Sequence, residues 1–233
     1  MQRILVTGAN RGLGLEFVRA FAARGDRVFA ACRRPRAATD LAGLAREAPE
    51  AVRVLALDVT DERAIEAAVA AIASDGDGSL DLLVNNAGLS PRGEEFDNLD
   101  RERMRSVFDV NTIAPMILAR CCRPLLARSR RPRIANISSS MGSLAKKDYG
   151  RHYSYSASKA ALNMLTRAAA CDLAEDGIVV TALHPGWVRT DLGGPKAALA
   201  PADSVAGMLR VIDGLSAEDS GAFLTREGEA HPW

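Results

Sequence analysis

Arg3-Ile4-Leu5-Val6-Thr7-Gly8-Ala9-Asn10-Arg11-Gly12-Leu13-Gly14 is the stretch on which the fold turns. Its first five residues are a short β-rich run ending at a glycine, and a helix is predicted directly behind it, over 15–24. Glycines permit a tight turn and close backbone approach, and the N-terminus of the following helix aims amide donors at an anion. The glycines run GxxxGxG, with Asn10 where the GxGxxG dinucleotide fingerprint has its second glycine. The GK[ST] ending of a P-loop is missing, which disfavours ATP chemistry. A nucleotide site is therefore expected at Gly8, Asn10, Arg11, Gly12, Leu13 and Gly14.

Outward from this stretch the chain alternates strand and helix. Further strands are predicted at 27–32, 52–57, 80–84, 133–137 and 178–183, with a short last one at 221–224. Helices are predicted at 37–47 and 62–73, over a long region 101–127 with irregularities at Pro115 and Pro124, from the stretch around Tyr155 onward, and at 201–215. This order implies a parallel sheet with helices on both faces, an α/β fold. No linker, repeat or low-complexity segment divides residues 1–233, so one domain is expected.

The 233 residues are 48% hydrophobic and carry a net charge of +1. That is enough chain for one sizeable core, and it gives no broad electrostatics for nucleic acid or membrane. No apolar run is long enough to span a bilayer, and the first strand leaves no room for a signal peptide. Cys32, Cys121, Cys122 and Cys171 show no metal-type spacing and read as buried reduced thiols of a cytoplasmic protein. His152, His184 and His231 are scattered and form no ligand pattern.

The second strand runs into Ala31-Cys32-Arg33-Arg34 where a free ribose 2′-hydroxyl would want a carboxylate. Arg33, with Arg11 in the glycine loop, suits a 2′-phosphate, so NADP(H) is expected over NAD(H); two exposed arginines in an Arg-rich chain is the plainer alternative. Asp58-Val59 closes the third strand, where an acceptor could meet an adenine amino group. Asn85-Asn86-Ala87-Gly88 closes the fourth with small residues that admit a cofactor. Turn chemistry alone would explain either.

In His152-Tyr153-Ser154-Tyr155-Ser156-Ala157-Ser158-Lys159, a phenol and an ammonium stand four residues apart. On a helix they share a face. A nearby cation favours phenolate, and a tyrosine tuned towards neutrality can protonate a carbonyl oxygen or deprotonate an alcohol. A surface Tyr beside a solvated Lys is the alternative.

Taken together, TGANRGLG at 7–14, Asp58-Val59, NNAG at 85–88, Asn111 in DVN, Ser139 in ISSS, Tyr155 with Lys159, and Pro185-Gly186-Trp187-Val188-Arg189-Thr190 resemble the short-chain dehydrogenase/reductase family. The resemblance covers almost the whole chain. It implies a Rossmann-type, doubly wound, mainly parallel seven-stranded sheet, and a nicotinamide cofactor. It implies Tyr155 as the acid-base group, with Lys159 holding the nicotinamide ribose and lowering the Tyr155 pKa. Ser139 would bind the substrate carbonyl, and Asn111 would hold a water linking Lys159 to solvent. Backbone around Pro185, Gly186, Val188 and Thr190 would fix the carboxamide. Many members place the serine 13 residues before the tyrosine, which here is Gly142. Aligning ISSS puts Ser139 in the role, 16 residues before Tyr155, with three extra residues within 145–152. Ser138, Ser140 and Ser143 stay in competition.

Within the family the chain most resembles the branch of C-factor and sniffer-type carbonyl reductases. The signs are the enlarged segment before Tyr155, the run PGWVRTDLGGPKA and Pro232-Trp233. The implied activity is NADPH-dependent reduction of small or medium aldehydes and ketones. The pocket walls would be the loop after Gly88, residues 141–153 with Tyr149 and Tyr153, and 187–200 with Trp187. The resemblance also implies a homodimer or homotetramer through the helices at 101–127 and 153–175. A regulator that binds NADP(H) with little turnover is the rival reading, against which the full Asn111/Ser139/Tyr155/Lys159 set counts.

Overall fold

Ile4 and Val6 face one side of the sheet and Leu5 the other, and all three are fully buried. A strand apolar on both faces needs helices on both faces. The computed structural model describes residues 1–233, and it supplies them. β1 (Arg3–Thr7), β2 (Arg27–Cys32), β3 (Val52–Ala56), β4 (Leu82–Asn85), β5 (Arg133–Ile137), β6 (Val179–His184) and β7 (Phe223–Thr225) form one sheet. Its order is β3-β2-β1-β4-β5-β6-β7 and every pairing is parallel.

The helices are α1 (Gly12–Ala23), α2 (Thr39–Glu47), α3 (Glu62–Ala73), α4 (Arg101–Phe108), α5 (Ala114–Leu126), α6 (Tyr153–Asp172) and α7 (Pro201–Gly214). Phe17 and Phe21 of α1, Leu41 of α2 and Met208 of α7 pack with Ile4 and Val6. Ile65 and Ile72 of α3, Leu118 and Leu126 of α5 and Ala170 of α6 pack with Leu5. The direction of strand succession reverses between β1 and β4, so their carboxyl ends part and leave the crevice where doubly wound sheets take ligands.

Three features depart from the sequence expectations. Helix α1 opens at Gly12, three residues early, because Gly12 itself supplies the entry conformation at φ 54°. The long helix at 101–127 is three pieces, with a π-helical turn at Asp109–Ile113 between α4 and α5. Pro115 has no amide for the carbonyl four residues earlier, which is that of Asn111, and the ladder widens there. The thiols are not all buried: Cys32 and Cys122 are, Cys121 is half-buried and Cys171 is exposed. No helix is long and apolar enough to cross a membrane.

Candidate active site

The glycine loop lies at the carboxyl end of β1, and three glycines make it. Gly8 and Gly12 hold φ 63° and 54°, which side-chain-bearing residues rarely adopt. A Cβ on Gly14 would run into the Gly8 carbonyl oxygen and come within 2.6 Å of Asn86 Nδ2. No side chain caps α1 and its first turn carries no acid, so the helix N-terminus is free for an anion from outside the chain. The cradle fits the pyrophosphate of a dinucleotide. It is tied to β4 by Thr7 and Asn86. The amides of Asn86 and Ala87 each donate to Thr7 Oγ1 at 3.0 Å, and Asn86 Nδ2 donates to the Thr7 carbonyl at 2.8 Å.

Other residues of this half have distinct placements. Arg33 stands exposed beyond β2, while Asp58 Oδ1 is taken up by the Thr60 amide and hydroxyl at 3.1 and 2.9 Å. Val59 beside it is buried. Arg11, expected to join Arg33 at a phosphate, instead reaches Asp191 at 2.6 Å, and Thr190 packs over Gly12. Asn85, expected to line the crevice, turns into the core. It donates to Asn136 Oδ1 at 2.8 Å, whose amide continues to Thr166 at 2.9 Å. Gly88 is exposed at the mouth of the loop that follows.

Across the crevice, Tyr155 and Lys159 are both buried on one face of α6, with Lys159 Nζ 5.8 Å from the phenol ring centre. The ammonium donates to the Ile137 carbonyl at the end of β5, at 2.7 Å. Burial pushes the Tyr155 phenol up to about 12, and the Ser139 side chain that faces it pulls the other way. Burial pushes Lys159 down to about 8. The expected lowering of the Tyr155 pKa by Lys159 is therefore not found: with the ammonium turned to Ile137, desolvation outweighs it.

The competing serines separate by their partners. Ser138 is buried and donates to Asn163 at 2.6 Å, while Ser143 donates to the Trp233 carbonyl at 3.1 Å. Ser139 begins a short 3-10 turn, Ser140–Gly142, accepts the Met141 amide at 3.1 Å and faces Tyr155. Asn111 in the π turn is fully buried with its side chain committed. It accepts from the Leu89 amide at 2.8 Å and donates to the Leu89 carbonyl at 2.8 Å and Ser158 Oγ at 3.0 Å. A water held by Asn111 would thus fall to its backbone carbonyl, which Pro115 leaves without the α-helical donor.

Residues 2–198 match the profile of the short chain dehydrogenase family. The chain belongs to that family. It is 45% identical over 156 residues to the C-signal protein of Myxococcus xanthus, across 67% of this chain and 94% of that one. It is 33% identical to a 1-hydroxy-2-glutathionyl-2-methyl-3-butene dehydrogenase of Rhodococcus sp., with both chains covered in full. Among solved structures, the NADPH-bound carbonyl reductase from chicken fatty liver superposes with a TM-score of 0.95 at 42% identity, covering 100% of this chain and 99% of that one. The carbonyl reductase Sniffer of D. melanogaster gives 0.94 at 33% identity, with both chains covered in full.

This short-chain dehydrogenase braces its site with residues that carry no local sequence signal. Glu94, 1% exposed, accepts the Ser154 amide at 2.8 Å, and its carbonyl takes the His152 amide at 3.2 Å. It caps α6 from 60 residues away, where His152 offers no side-chain cap and sits at φ 53°. The loop 89–94 is thereby pinned at both ends, by Asn111 and by α6. On the opposite wall Pro185 accepts the Ser204 hydroxyl at 2.7 Å, Val188 is buried and bridges to Leu199, and Gly186 holds φ 84°. Thr190 Oγ1 accepts the Gly193 amide at 3.1 Å, and exposed Trp187 donates to the Gly193 carbonyl at 2.8 Å. Of the aromatic residues expected at the mouth, Tyr149 lies under Lys147 and Tyr153 packs on Phe96, which sequence reading missed.

Proposed function

We propose that the protein is an NADPH-dependent reductase of aldehydes and ketones. The observation that carries this reading is the meeting of Tyr155, Ser139 and Lys159 at the same sheet end as an uncapped helix N-terminus in a glycine cradle. When bound, the cofactor supplies the hydride. The backbone of Gly8, Asn10, Arg11, Gly12, Leu13 and Gly14 would hold its pyrophosphate, Asp58 and Val59 its adenine, and Arg33 a 2′-phosphate. Asn85 to Gly88 would flank the cofactor through backbone, with Pro185, Gly186, Val188 and Thr190 at the carboxamide. Tyr155 gives its proton to the substrate oxygen. A phenol held near 12 is protonated at neutral pH, which suits the donor in reduction. Ser139 donates to the same oxygen as charge grows there. Lys159 holds the ribose and resupplies the proton: an ammonium near 8 gives its proton downhill to a phenolate whose phenol is held near 12. Asn111 supports the resupply through its carbonyl.

The names of the chicken and D. melanogaster neighbours favour this chemistry, and the C-signal relative favours a second reading, an NADP(H)-binding regulator. Purified protein incubated with NADPH and a panel of small and medium carbonyls separates them. Steady NADPH oxidation, faster than NADH oxidation, is the expected result. NADPH binding without turnover supports the regulator, and turnover confined to one bulky steroid would refute the open pocket. A second copy would pack on the face with Ile113 and Met164, 51% and 67% exposed, and sedimentation would detect the homodimer or homotetramer.

A further inference from the structure

Two of the three histidines scattered through the sequence come together behind the serine turn. His184 ends β6, His231 follows β7, and their rings meet edge-on at 5.3 Å. The Ser140 amide donates to His184 Nδ1 at 3.1 Å. That bond fixes the tautomer, leaving the ring proton on Nε2. His231 is buried, with its amide on the Phe223 carbonyl at 2.7 Å and its ring 4.6 Å from that of Phe223. The Trp233 carbonyl then takes the Ala145 amide at 2.8 Å and the Ser143 hydroxyl at 3.1 Å. On the other side the turn has no slack, since a Cβ on Gly142 would come within 2.8 Å of the Lys159 backbone. The segment carrying Ser139 is held between α6 in front and His184 to Trp233 behind.

We infer that His184 is a positioning residue for carbonyl reduction, acting through the Ser140 amide to keep the Ser139 hydroxyl in register with Tyr155. The inference rests on the carbonyl-reductase reading above and adds a residue acting through another. What the turn needs from position 184 is an acceptor, because a protonated imidazole would present N–H to N–H. The surroundings enforce the neutral ring. Burial and His231 hold His184 down at about 4, Lys146 and Arg226 push the same way, and only Glu227 opposes.

The test is a double-mutant cycle on the full chain, with kcat for a reduced carbonyl and Kd for NADPH measured in each variant. His184→Leu is expected to lower kcat about tenfold while NADPH Kd moves less than about twofold. His184→Asn, with Oδ1 near the place of Nδ1, should return kcat to within about threefold of wild type. In a Ser139→Ala background, adding His184→Leu should cost less than about twofold, because both changes remove one effect. Ser140→Pro deletes the donor and sets its Cδ where the amide hydrogen met His184 Nδ1, so its kcat should fall at least as far as that of His184→Leu. Additive losses in the double variant overturn the inference, as does an Asn variant as slow as the Leu variant or a Ser140→Pro variant with normal kcat. A wild type that reduces no carbonyl overturns the underlying reading, and this inference with it.

Discussion

The glycine loop and the serine turn face each other across one crevice and are built on opposite plans. The loop is eight consecutive residues whose backbone makes the site, so an added atom does harm where the loss of a side chain does little. The turn is one of several pieces, with Ser139, Asn111, Glu94 and the α6 pair Tyr155 and Lys159 brought from separate parts of the chain and held by specific hydrogen bonds. There a lost side-chain atom does the harm. Binding should fail through overpacking on one side, and turnover through deletion on the other.

Gly14→Val offers the largest effect on binding. Its Cβ meets the Gly8 carbonyl, so NADPH affinity should fall about a hundredfold or more, equivalent to about 3 kcal/mol. Fluorescence titration reads this, and an unchanged Kd would remove the loop from the site. Next comes a pH effect from the other side of the crevice. Lys159 is lowered from 10.5 to about 8, so between those values the unfolded chain holds a proton that the folded chain has released. Stability should therefore rise with pH across that window, by at most about 1.4 kcal/mol per unit, and be lost as pH falls through about 8. Denaturant titrations at several pH values should show this extra slope in wild type and not in Lys159→Met; equal slopes would mean that Lys159 stays solvated.

Glu94→Leu should cost about 1–3 kcal/mol by leaving the buried Ser154 amide without an acceptor, with Glu94→Gln recovering most of it. Calorimetry would refute the cap if Tm did not move. The smallest expected effect tells two arginines apart. Arg33→Ser should weaken NADPH about tenfold and leave NADH unchanged, a modest figure because the site is exposed and screened. Arg11→Ala, with Arg11 engaged by Asp191, should change either cofactor less than about twofold.

The same contrast governs what could be read from the chain. Strands β1, β2 and β5 and helix α3 fall on the residues that local periodicity predicts, and the glycine loop is legible because its geometry is a property of neighbours. Pro115 is visible as an irregularity, yet its consequence appears four residues earlier at Asn111, through the bond a proline cannot donate. Four serines near 138–143 look alike in sequence and separate only by partners on α6, at His184 and at Trp233. Glu94 with Ser154, Arg11 with Asp191 and His184 with His231 join distant positions that no local pattern couples. The pKa of Tyr155 follows the same rule, since its direction depends on burial and on where Lys159 points.

Tyr155→Phe removes one oxygen from the assembled side and nothing from the cradle. NADPH affinity and carbonyl turnover measured together on this variant test the division of labour most directly. Affinity within about twofold of wild type, with kcat reduced by about a hundredfold to ten-thousandfold, is the result expected for a lost proton donor. Turnover at the wild-type rate, with the phenol gone, would contradict it.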